Sequence, residues 1–148
     1  MALYQKLNDD LKGAMKSGQK DRLEVLRFVL SGVNSAKKEK EAKTPGMELT
    51  DDEVIAILQK EAKRRKEAVE LFKQGKRDDL VAKEEADLAV IYEYLPKELS
   101  RGEIEKIVDD VKAAGASDFN SVMRETMKLV KGRADGKAVG EVIKAKLE

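Results

Sequence analysis

An all-α protein is what this sequence predicts, and three observations carry that reading. Apolar residues recur at three- and four-residue steps along most of the 148 positions, as in helices with one buried stripe. Charged residues make up 40% of the chain and aromatics 4%, a balance that suits soluble helices, while 41% hydrophobic residues argue against disorder. Only Pro45 and Pro96 interrupt the pattern, dividing the chain into three blocks.

Leu3, Leu7, Leu11, Ala14 and Met15 form the stripe of a first helix over residues 3–16, ended by Ser17-Gly18. A second helix starts at Asp21 or its neighbours and carries Leu23, Leu26, Val29, Leu30 and Val33. Val25 and Phe28 widen its apolar face, so it is expected to be the most buried helix. Over residues 34–49 the pattern is lost. Lys37-Lys38-Glu39-Lys40-Glu41 either prolongs the helix into solvent or is mobile, and Thr44-Pro45-Gly46 is a turn signal. The expectation is a frayed helix end followed by a flexible loop.

Thr50, with Glu53 three residues later, is a capping box that opens a third helix. Its stripe is Val54, Leu58, Ala62, Val69 and Phe72, with Arg65 in the gap. Gln74-Gly75-Lys76-Arg77 is a turn. Asp78 or Asp79 is expected to cap a fourth helix bearing Val81, Leu88, Ile91 and Leu95, whose own gap holds Glu84 or Glu85. An antiparallel hairpin about Gly75 sets Arg65 opposite residues 84–88, which predicts a semi-buried ion pair between Arg65 and Glu84 or Glu85.

Leu95-Pro96 ends the fourth helix, because the residue before proline avoids helical dihedrals. The expected organisation is an N-terminal four-helix domain, residues 1–96, and a C-terminal three-helix domain, residues 97–148. In the latter, Ser100 and Glu103 repeat the capping box, and Ile104, Ile107, Val108 and Val111 lead to a stop at Gly115. Ser117 or Asp118 caps the next helix, with Phe119, Val122, Met123, Met127 and Val130 expected in its core face. The last helix runs from about Gly136 and carries Val139, Val142, Ile143 and Leu147 on its apolar face.

Lys131-Gly132-Arg133-Ala134-Asp135-Gly136-Lys137 joins these two helices. Gly132 is suited to a positive φ that closes one, and Asp135 to capping the other. Lys131, Arg133 and Lys137 surround a helix N-terminus, which suits an anion such as a nucleic-acid phosphate. The formal net charge is only +1, so steering by the whole molecule is weak. Its distribution is uneven. From Ser100 to Met123, Arg101, Lys106 and Lys112 meet five acidic residues; from Arg124 to Lys146, seven basic residues meet only Glu125, Asp135 and Glu141. Arg124, Lys128, Lys131, Arg133 and Lys137 are therefore the candidate RNA contacts. The other cluster, Lys60, Lys63, Arg64, Arg65 and Lys66, interleaves with Glu61, Glu67 and Glu70 at helical pairing distance, a self-compensated solvated face. With Phe119 assigned to the core, no aromatic remains for base stacking. Any RNA reading is then of backbone and shape.

Chemistry of its own is not expected. Histidine and cysteine are absent, which removes the commonest general base, thiol chemistry and the commonest metal ligands. No serine stands in a nucleophile elbow or a Ser-x-x-Lys context. Asp51-Asp52, Asp78-Asp79 and Asp109-Asp110 read as complements of helix dipoles or as surface charge. No catalytic residue, metal site or cofactor is assigned. No apolar run approaches a membrane span, and Met1-Ala2-Leu3-Tyr4-Gln5 does not begin a signal peptide, which makes the cytoplasm the expected location.

The run from Val122-Met123 through Met127-Lys128-Leu129-Val130, then Lys131-Gly132-Arg133-Ala134-Asp135-Gly136 and Val139, resembles the C-terminal motif of the GatB/YqeY family. Leu7-Asn8-Asp9-Asp10-Leu11-Lys12, Ala14-Met15-Lys16, Arg77-Asp78-Asp79-Leu80 and Tyr94-Leu95-Pro96-Lys97-Glu98-Leu99 resemble its stand-alone YqeY-like members. The resemblance implies a C-terminal unit similar to the tail of the GatB component of the tRNA-dependent amidotransferase. That enzyme is a carbon-nitrogen ligase with glutamine as amido donor. By position, Lys128, Lys131, Arg133 and Lys137 become tRNA-contact candidates, and Gly132, Ala134 and Gly136, with the cap Asp135, shape the turn. The expected function is an accessory tRNA- or RNA-binding module. The alternatives are a catalytic contributor to amidotransfer with other enzyme components, or a protein-interaction module using the third helix to meet a translation-related partner.

Overall fold

Side chains one residue outside a helix set four of the helix starts. Thr50 and Ser100 each accept from the backbone N–H three residues on, Glu53 and Glu103, and those glutamates reach back to the capping residue, completing two capping boxes. Asp118 and Asp135 accept from the N–H groups of Ser121 and Ala138. The computed structural model describes residues 2–148, and among them there are seven α-helices and no strand. By backbone contacts the chain divides into two compact units, with the boundary between Leu95 and Pro96.

The first unit holds α1 (Ala2–Ser17), α2 (Lys20–Lys43), α3 (Asp51–Gln74) and α4 (Asp78–Tyr92). Leu7, Leu26, Val33, Val54, Leu58 and Ile91 are its most deeply buried large side chains. The expected fraying of α2 does not occur. The helix runs to Lys43 because its lysines find partners on neighbouring helices: the Lys37 ammonium lies 4.8 Å from the Tyr4 ring centre, and Lys40 pairs with Glu53. The connection to α3 is anchored at its end. Leu49 and Val54 occupy the two positions of a hydrophobic staple around Thr50, and Leu49 is only 3% exposed. Phe28 also departs from expectation. It lies off the stripe of Leu26, Val29, Leu30 and Val33, stays 51% exposed, and has the Arg65 guanidinium 5.3 Å from its ring centre.

Neither Asp78 nor Asp79 caps α4. The capping position is Arg77, without a side-chain cap bond, and both aspartates fall in the first helical turn. The Arg77 guanidinium claims the Asp79 carboxylate through two 3.2 Å bonds, which holds Arg77 above its ordinary pKa and Asp79 below its own.

Arg65 anchors α3 to α4. Its Nε donates to Glu61 at 3.1 Å, and its Nη1 donates to Glu84 at 3.2 Å and to Asp87 at 2.9 Å. Glu85 is not part of this group; it points the other way, 3.9 Å from Lys73. Asp87, just 5% exposed, takes the place expected for it, with Lys83 3.6 Å away. A second polar tie closes the end of the unit. The buried Tyr94 hydroxyl donates to Asp10 at 2.5 Å and accepts from Arg22 at 3.2 Å. Burial, then the Asp10 carboxylate, pushes this phenol well above its ordinary pKa, so it remains a donor.

The second unit holds α5 (Arg101–Ala113), α6 (Phe119–Val130) and α7 (Gly136–Leu147) around Ile104, Val108, Val111, Val122, Val130, Val139, Val142 and Ile143. Gly115, at φ 117, ends the turn after α5. Thr126 lies in this core, fully buried, and its hydroxyl has no hydrogen-bond partner among the described residues. Replacing it by the isosteric, apolar valine removes that unmet polar group. Thr126→Val is therefore expected to stabilise the protein by about 1 kcal/mol, measured by chemical denaturation; a loss of stability would show that the hydroxyl is satisfied.

Candidate nucleic-acid interface

The corner between α6 and α7 is built by two successive left-handed residues. Lys131 caps α6 at φ 48, and Gly132 follows at φ 76. The turn thus begins one residue earlier than glycine chemistry alone suggests, with a lysine in a conformation that costs a side-chain-bearing residue about 1–2 kcal/mol. Arg133 then returns to the core. Its N–H donates to Val130 O at 2.9 Å, and its carbonyl accepts from Leu99 N at 2.9 Å. Ala134 packs against the core, and Asp135 starts α7 with a 2.8 Å bond from Ala138 N.

The side chains around this corner differ in how far they are compensated. Arg133 is half-buried, and its Nε donates 2.9 Å to the main-chain carbonyl of Lys97 rather than to a carboxylate. That bond sets the Lys97 backbone beside Arg133, and the charges of both residues act on Glu103. The sequence pattern gives no sign of it, since Lys97 and Arg133 lie 36 residues apart. Glu103 faces both. Its carboxyl is held below the ordinary value first by the Ser100 N–H, then by the Ser100 hydroxyl, with the charges of Arg133 and Lys97 adding to the effect. Lys131 and Lys137 are exposed on either side of the turn. Lys128 is also exposed and pairs with Glu125 at 3.2 Å, and Arg124 lies further back on α6, where it helps hold Asp118 below its ordinary pKa after the dominant Ser121 hydroxyl bond. The structure therefore gathers Lys97, Lys131, Arg133 and Lys137 about one corner, and sets Arg124 and Lys128 along the helix that leads to it.

Two expectations about this surface change. The α7 N-terminus is filled by the Asp135 carboxylate, so anion contact falls to side chains rather than to free N–H groups. Phe119 is not core: it shares the face of Val122, Thr126 and Val130, yet as the first residue of α6 it lies at the end of that stripe and stays 42% exposed. Among the described residues no group of three metal-ligating side chains converges, and no helix is long and apolar enough to cross a membrane.

Fold and site together define a helical protein whose second unit presents a cationic corner between two helices. The chain belongs to the YqeY-like protein family, whose model matches residues 4–147. It is 34% identical over 152 aligned positions to altered inheritance of mitochondria protein 41, a protein named as mitochondrial, of Pyrenophora tritici-repentis, covering 95% of this chain and 81% of that one. The protein of the same name from Lachancea thermotolerans is 29% identical, with 95% of this chain and 76% of the relative covered. An uncharacterized protein of Schizosaccharomyces pombe is 37% identical over 90 positions, 61% of this chain and 69% of that protein.

Proposed function

We propose that this protein is an accessory RNA-binding protein, whose second unit grips the phosphate backbone of tRNA or another structured RNA. The observation that carries the reading is the corner itself, where Arg133 is positioned by a main-chain carbonyl while Lys131 and Lys137 stand exposed beside it. Such side chains release condensed counterions when they meet phosphates, which supplies affinity without reading bases. The local excess of seven basic residues over three acidic ones between Arg124 and Lys146 gives the surface its sign. Nothing in the chain's side-chain chemistry generates ammonia or activates an acyl group, so its part in amidotransfer would be to hold RNA.

A gel-shift titration against a tRNA transcript at low salt tests this. Lys131→Ala/Arg133→Ala is expected to weaken binding by about tenfold and to reduce the slope of log affinity against log salt by about one for each phosphate no longer engaged. Absent binding, or binding equal to wild type in the double variant, overturns the proposal. One observation favours the protein-interaction reading instead. A groove of about 340 Å³ runs between α2 and α3, lined by Phe28, Gly32, Ile57, Lys60 and Arg64. A partner that stays bound to this face after nuclease treatment would support that reading.

A further inference from the structure

We propose that Phe119 is a base-stacking platform, taking the face of an unpaired base in a structured RNA whose adjoining phosphate rests on Lys137. The inference rests on the RNA-binding reading above and adds base contact to it. The ring is 42% exposed, and its tip stands 3.9 Å from the point where Gly140 would carry a Cβ. One turn back along α7, the Met123 methyl meets Gly136 in the same way at 3.6 Å. Phe119 and Met123 of α6 therefore lie against two positions of α7 that carry no side chain, leaving a low apolar surface.

Packing does not require glycine at 140. A Cβ there would make ordinary van der Waals contact, and alanine would strengthen the helix. Larger side chains would shade the ring, so a bare position keeps it accessible. The charges around it suit a nucleotide. Lys137 lies three residues before Gly140 and Lys144 four after, so both are its neighbours on the helix surface, and both are exposed. Glu141 is the carboxylate of the same face, and the α6 cap Asp118, also exposed, is the carboxylate next to the ring in sequence. Gly140 is about 6 Å along the α7 axis from Gly136, at four residues and 1.5 Å each, which sets the platform one nucleotide's reach from the cationic corner. An aromatic face next to backbone-binding cations is the arrangement by which proteins hold unstacked bases.

The chain contains no tryptophan, which gives a direct probe. Phe119→Trp would carry the sole indole, and its emission should be quenched as a tRNA transcript is added. Phe119→Leu, which keeps the apolar bulk but has no π-face, should bind that transcript about tenfold more weakly with an unchanged salt slope. Its affinity for a fully paired RNA duplex, which offers no unpaired base, should not change. An unquenched Phe119→Trp protein, or Phe119→Leu binding the transcript as wild type does, overturns stacking. If Lys131→Ala/Arg133→Ala still weakens binding in that case, the backbone reading survives alone. If wild type binds neither RNA at low salt, both fall together.

Discussion

Arg65→Ala is expected to destabilise the protein by about 3 kcal/mol, the size of effect seen when one partner of a buried ion pair is removed. The guanidinium serves three carboxylates, from Glu61, Glu84 and Asp87, on two helices. Asp87 matters most, because its side chain is only 8% exposed and cannot turn to water. Without Arg65 it keeps Lys83 alone, at 3.6 Å and on a half-exposed stem. Phe28 loses the cation over its ring as well. Arg64→Ala, one residue away and 67% exposed, is the control and should stay within about 0.5 kcal/mol of wild type. Urea denaturation of both variants checks the contrast. If Arg65→Ala also stays within that range, the charge group does not hold α3 to α4.

Ile143→Ala should be as severe and more local. Ile143 is fully buried in the second unit, and truncating such a side chain costs about 3 kcal/mol through lost burial and the cavity left behind. A core as small as this one rarely supplies more than about 3–5 kcal/mol in total. Hydrogen exchange should therefore show the amides of α5, α6 and α7 losing most of their protection. Protection in those helices equal to wild type would mean that the core tolerates the cavity.

Local chemistry is the legible part of this sequence. The starts of α3 and α5 follow from Thr50–Glu53 and Ser100–Glu103, pairs that bond across a single turn whatever the rest of the chain does. Asp135 is the same case. What depends on the rotation of a helix about its axis is less legible. Hairpin geometry sets Arg65 opposite residues 84–88, but only the facing of α4 decides that Glu84 and Asp87 point at it while Glu85 turns to Lys73. Residue type points Phe28 and Phe119 inward, yet exposure is decided by which neighbours cover a face. The tail of α2 looks unpatterned because its partners, Tyr4 and Glu53, lie on other helices. The Lys97 carbonyl that seats Arg133 is similarly remote in sequence.

The lysine at φ 48 has a wider consequence. Glycine or asparagine would occupy that dihedral basin with less steric penalty, so a screen for thermal robustness alone should favour either at 131. Retaining a cationic residue there sets conformational comfort against charge placement. A variant selected solely for heat tolerance would drift toward a calmer corner and a more weakly charged one.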